Sequence, residues 1–173
     1  MGATRDKAAA FDAQDLPAEA AEAYEQAIAE GDADLDTYID LAVLYNECND
    51  EGYYAYHHLP DEFIEKTYGR AMELLDEAEA KFGKHAEIDF WRQFFPWDSL
   101  GEPSFIPLAE EIAATGESLV PYFYLYVFSE SGERRQYRKK AEALYDLVKD
   151  KSTVKKRRII STLEAPLVDG LQR

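Results

Sequence analysis

The sequence is short of most of what secreted, membrane-bound and metal-binding proteins rely on. One cysteine in 173 residues, Cys48, excludes an internal disulfide framework and suits a reducing compartment. Only three histidines are present, and the adjacent pair His57 and His58 cannot readily converge on one ion, so no metal site is expected. The longest apolar run, Leu119 to Phe128, is about half the length that a membrane span needs. The opening stretch MGATRDKAAAF lacks the apolar segment of a signal peptide, and Asp6 stands where myristoylation at Gly2 wants Ser or Thr. A cytoplasmic protein is the expectation. Glycine and proline are sparse, at nine and seven residues, which with 46% hydrophobic residues predicts an ordered globule. There is no phosphate loop and no glycine-rich dinucleotide turn, so no cofactor is expected.

Positive charge is scarce and unevenly placed. Residues 1–133 hold 7 Lys/Arg against 30 Asp/Glu, and residues 134–173 hold 12 against 5, giving −23 and +7 of the total −16. Such asymmetry bears on association rather than on fold. The acidic part should repel nucleic acid and anionic lipid and attract basic partners. The same acidity would also serve solubility alone, or a salty habitat.

Apolar residues recur at three- and four-residue spacing, and no long alternating run marks a strand, so an all-α protein is predicted. The spacing predicts helices over 4–14, 17–30, 34–49 and 61–82, with Pro17 opening the second and Gly83 stopping the fourth. Residues 49–60 read as a loop. Further helices are expected over 85–95, closed by Pro96, and over 103–115, 121–129, 134–151 and 153–164, with 165–173 a fraying tail. About nine helices in one domain, 1–173, result.

Small residues recur at a fixed interval in the first half. Ala8 and Phe11 are followed 34 positions later by Ala42 and Tyr45, and Ala20, Tyr24 and Ala27 form a second-helix set. Tyr38, Leu41, Ala42 and Tyr45 complete a first-helix set, whose second helix falls on Ala71, Leu75 and Ala78. Ala42 to Ala71 is 17 positions longer than Ala8 to Ala20, and the 49–60 loop lies within that stretch. Thr4 and Lys7 depart from the pattern where large residues are usual. Over residues 1–84 this resembles the tetratricopeptide repeat. The resemblance implies stacked antiparallel helix pairs in a right-handed superhelix, with an additional C-terminal helical segment over 85–164 that is basic from 134. A non-repeating helical bundle is the alternative.

The resemblance also implies non-enzymatic protein binding in a concave groove. Family groove positions fall on Asp12, Asp36, Ile39, Asp40, Val43 and Asn46. Family members that grip a peptide carboxylate use Lys, Arg and Asn there, so Asp36 and Asp40 point instead to a basic or neutral segment. An immunity protein masking a basic toxin and a chaperone for a secreted substrate both fit. The 49–60 loop adds Tyr53, Tyr54, Tyr56 and His57, stiff aromatic contact area that suits a binding surface; the tyrosines could equally fold back onto the helix pair. A self-associating module using PYFYLYVF or the oppositely charged ends, and a hydrolase using Cys48 with His57, His58 or His85, are the other classes. Cys48 closes an apolar helix stripe, as a small buried hydrophobe does. Phe90, Trp91, Phe94, Phe95 and Trp97 read as a core anchor, with a ligand pocket as the alternative. The cationic residues Arg134, Arg135, Arg138, Lys139 and Lys140, and later Lys155 to Arg158, read as a solvated face or an internal clasp on acidic helices, with nucleic acid the disfavoured reading.

Overall fold

Asp34, Asp50 and His85 each start a helix by accepting from a backbone N–H of its first turn. Asp34 accepts from the Thr37 backbone N–H at 2.9 Å while the Thr37 hydroxyl lies 3.4 Å from the Asp34 N–H, a reciprocal cap that opens α3, Leu35–Cys48. The computed structural model describes residues 2–169, and among these every regular element is a helix. None is long and apolar enough to cross a membrane.

Two compact units are distinguished, Met1–Lys84 with Ser152–Lys155, and His85–Lys151 with Lys156–Arg173. In the first, α1 (Ala3–Ala13) and α2 (Pro17–Ala29) are joined by three residues and lie against each other, which makes them a helical hairpin. The turn passes through Asp15 in the left-handed region, at φ 57°. α5 (Asp61–Phe82) packs along α3, and α2 lies against α3. Ala8, Ala20, Ala27, Ala42, Ala71 and Ala78 are all 0% exposed, the small contacts that let paired helices approach. α1 buries little more than Ala8 and Asp12 and is secured instead by polar ties. The Gly2 N–H donates to Asp32 at 2.8 Å, Thr4 to Glu30 at 2.6 Å, and Arg5 pairs with Asp34 at 2.6 Å.

Half of the predicted 49–60 loop is helix. Asp50 accepts from the Tyr53 N–H at 3.0 Å and starts α4, Glu51–Tyr56. The aromatic composition of this stretch hides an ordinary Asx cap.

In the second unit α6 runs Ala86–Leu100, through Pro96 rather than up to it. An interior proline costs a helix about 3 kcal/mol. Here aromatic packing on both sides of it outweighs that cost: Phe94 and Phe95 are buried, and Trp97 meets Tyr124 and Phe128 edge-on and Phe94 at a tilt, at 4.9–5.4 Å between centroids. The helix stops at Gly101, whose φ of 67° suits glycine. α7 is Ile106–Ala114, with Pro107 in its first turn, and α8 is Pro121–Phe128. α9 is Ser131–Val148 and α10 is Val154–Asp169, so helix continues past the tail boundary predicted at 165; residues 170–173 lie outside the described residues. The core of this unit is aromatic: Phe90, Trp91, Phe94, Phe95, Phe123 and Tyr124 are at most 1% exposed. Phe105 stacks on Tyr124 at 4.3 Å.

Candidate binding surface

The acidic residues expected in a groove come together, and a segment of the same chain lies among them. Asp12 is 1% exposed. Its carboxylate accepts from the Tyr24 hydroxyl at 3.0 Å and from the Val154 N–H at 2.8 Å. Val154 is the first residue of α10, so Asp12 supplies from α1 an acceptor that a helix start otherwise lacks, with the favourable end of the helix dipole beside it. Thr153 donates to Asp40 at 3.3 Å, and Lys155 Nζ stands 3.7 Å from carboxylate oxygens of both Asp36 and Asp40. Asp40 is largely buried with its side chain 13% exposed, whereas Asp36 is open at 77%. Asn46 is buried at 2% and presents no outward surface. Of the cationic residues, Lys155 is thus an internal clasp. Within the second unit Arg158 pairs with Asp98 at 2.7 Å and lies over the Phe94 ring.

The Tyr/His stretch divides in two. Tyr53 and His57 fold back on Asp15 of the α1–α2 turn, at 3.5 and 3.4 Å, and their rings lie 4.4 Å apart. Tyr54 is half-buried. Tyr56 points outward at 77% exposure, the most open large hydrophobic among the described residues. His58 holds φ at 53°, the left-handed turn that brings the chain out of α4.

A second feature of this unit was not anticipated. α2, α3 and α5 border a cleft of about 560 Å³. Tyr45 and Phe63 form its aromatic floor, with ring centroids 5.9 Å apart. Glu25 accepts from the Tyr45 hydroxyl at 3.0 Å and takes a two-pronged bond from Arg70 at 2.8 and 2.9 Å. Arg70 also reaches Glu77 at 2.6 Å and Glu73 at 3.4 Å. Hydrogen bonding to Glu25 and then Glu77 holds the guanidinium even more firmly protonated than usual, and burial beside Glu25 pushes the Tyr45 phenol up. The Arg70 charge is therefore matched internally, while Glu62 and Glu65 stand exposed on the rim. These residues come from three helices, with Glu25 and Arg70 separated by 45 positions. The legible signs were Gly69 inside a helical pattern and Phe63 seven residues before Arg70 on one helix face.

Cys48 is 0% exposed. Burial, and then the charges of Glu47, Asp12 and Asp15, push its thiol up, so the sulfur is protonated at neutral pH and is no nucleophile there. Among the described residues no cluster of His, Cys, Asp and Glu could hold a metal ion.

No protein-family model matches the chain, and comparison with curated proteins and with solved structures finds no match either.

Proposed function

We propose that this chain is a non-enzymatic, cytoplasmic protein-binding module that takes a basic or neutral segment of a partner protein on the acidic face of its N-terminal unit. The observation that carries this reading is the Tyr45–Phe63 cleft, an aromatic floor within an acidic rim whose guanidinium is already matched by Glu25, Glu73 and Glu77. Aromatic floors supply affinity, and surrounding carboxylates steer a basic partner and raise its on-rate. Exposed Asp36 and Tyr56 extend the same chemistry over this unit. The internal seat of Lys155 between Asp36 and Asp40 is an example, within the chain, of the contact proposed. A mask for a basic toxin or a chaperone for a secreted substrate would work this way. The buried, protonated thiol of Cys48 favours binding over cysteine-dependent hydrolysis.

The test is a panel of labelled peptides matched in length and hydropathy and differing in net charge, titrated at low and high salt. Basic peptides should bind best and weaken as salt rises. Binding that ignores peptide charge, or no binding across the panel, would overturn the reading.

A further inference from the structure

One residue lining the cleft has no explanation within the chain. Gly69 sits in the middle of the 22-residue helix α5, on its exposed side. A Cβ built there would meet nothing within 4 Å, and the backbone is not in the left-handed region that would call for glycine. Alanine would fit this position and would favour the helix, because glycine has more backbone freedom to lose on folding. The glycine therefore weakens the helix without relieving any internal crowding. What a missing Cβ does allow is close approach by something from outside.

The residues that α5 contributes to the cleft recur at helical spacing. Glu62, Lys66, Gly69 and Glu73 follow one another at four, three and four positions, with Phe63 and Arg70 alongside. They form a ridge along α5 of about three turns, interrupted by a gap at Gly69. A row of that kind accepts a second helix, whose side chains at three- and four-residue spacing enter the gap.

We infer that Gly69 is the seat of a basic amphipathic helix of a partner protein, which rests on the protein-binding reading above. One apolar side chain of that helix fills the gap over Gly69, and a second, about 9 Å along the axis, meets Phe63 and Tyr45 at the other end of the cleft. Its Lys or Arg residues face the exposed rim carboxylates Glu65, one turn from Gly69, and Glu62, two turns away. The match is one of charge as well as shape, since among the described residues the lining sets Glu25, Glu62, Glu65 and Glu73 against Lys66 and the internally paired Arg70.

The probe is a fluorescent amphipathic Leu/Lys peptide of about four helical turns, compared with its Leu/Glu counterpart by anisotropy. It is titrated against the wild type, Gly69→Ala, Gly69→Leu, Phe63→Ala, and Lys140→Ala in the second unit as a control. The Leu/Lys peptide should bind the wild type and Lys140→Ala alike, and the Leu/Glu peptide should not. Gly69→Leu and Phe63→Ala should weaken binding by about tenfold or more, and Gly69→Ala by less. Thermal melts accompany each titration: Gly69→Ala should melt higher than the wild type while binding less well, a combination that damage to the fold cannot produce. If the Leu/Lys peptide binds all variants equally, the seat is elsewhere and this inference fails while the protein-binding reading stands. If it does not bind the wild type, the inference fails as well, and the charge panel decides the broader reading.

Discussion

Substituting Asp12 should disturb the fold more than substituting any other acidic residue of the N-terminal unit. Its carboxylate accepts from the Tyr24 hydroxyl and the Val154 N–H, both on residues only 2% exposed. In Asp12→Ala both donors lose that acceptor in a place where water does not easily replace it. A buried donor left unsatisfied costs about 1–3 kcal/mol, so two would cost about 2–6 kcal/mol. Two effects bring the figure down. Removing a buried carboxylate recovers part of its desolvation cost, and a phenol can rotate toward another acceptor. A net loss of about 3 kcal/mol is expected, a large part of what a small domain has. Asp12→Asn keeps one acceptor oxygen and should lose about half as much. Tyr24→Phe should cost about 1 kcal/mol, and adding it to Asp12→Ala should cost less than the sum, because the phenol has already lost that acceptor. Urea unfolding followed by far-UV circular dichroism reports the whole chain, whereas fluorescence of Trp91 and Trp97 reports the second unit, in which both lie. The loss should appear in the dichroism midpoint. An Asp12→Ala protein within about 0.5 kcal/mol of the wild type, or strict additivity with Tyr24→Phe, would refute this account of the Asp12 node.

Three further outcomes follow from the geometry. Gly69→Ala should raise stability by about 1 kcal/mol in urea unfolding, since the added methyl group meets open space; a loss would mean that the glycine relieves strain inside the chain. Cys48 should resist a thiol reagent in the native protein and react at the rate of structural opening, so that urea accelerates it; immediate stoichiometric labelling would contradict its burial. For Asp34, burial pushes the carboxyl up, but the Thr37 side-chain and backbone bonds and the Arg5 charge together hold it below its ordinary 3.8. The folded state thus gives up this proton more readily than the unfolded one, so the charge-dependent part of its stabilisation is in place above pH 3.8 and is lost as pH falls through the lower folded value. The stability gap between the wild type and Asp34→Asn should be constant from neutral pH down to that region and narrow below it; a gap independent of pH would show that the carboxylate charge contributes nothing.

Elements with local determinants were legible in the sequence. Asp61–Phe82 coincides with its predicted span because Pro60 and Gly83 bracket it, and Asp34 and Pro17 mark their helix starts equally plainly. Pro96 does not end its helix because its local preference to do so is overridden by ring packing from Phe105, just before α7, and from α8, a tertiary effect that no window around residue 96 contains. α4 is hidden because Asp50, its cap, lies inside the 49–60 stretch that reads as a loop. The same divide runs through the candidate surface. Asp36, Asp40 and Tyr56 could be named from spacing and composition. That Asp12 would turn inward, to a backbone N–H 142 positions away, could not, nor could Thr153 meeting Asp40 across 113 positions. Cores and ion pairs that depend on distant segments leave little trace in a linear pattern.

The most direct test of the central claim is to map the amide resonances of the ¹⁵N-labelled chain during titration with the Leu/Lys peptide. The account predicts shifts concentrated at Tyr45, Phe63, Gly69 and Arg70, fading as salt is raised. Shifts confined to residues 134–173, or no shifts at all, would contradict it.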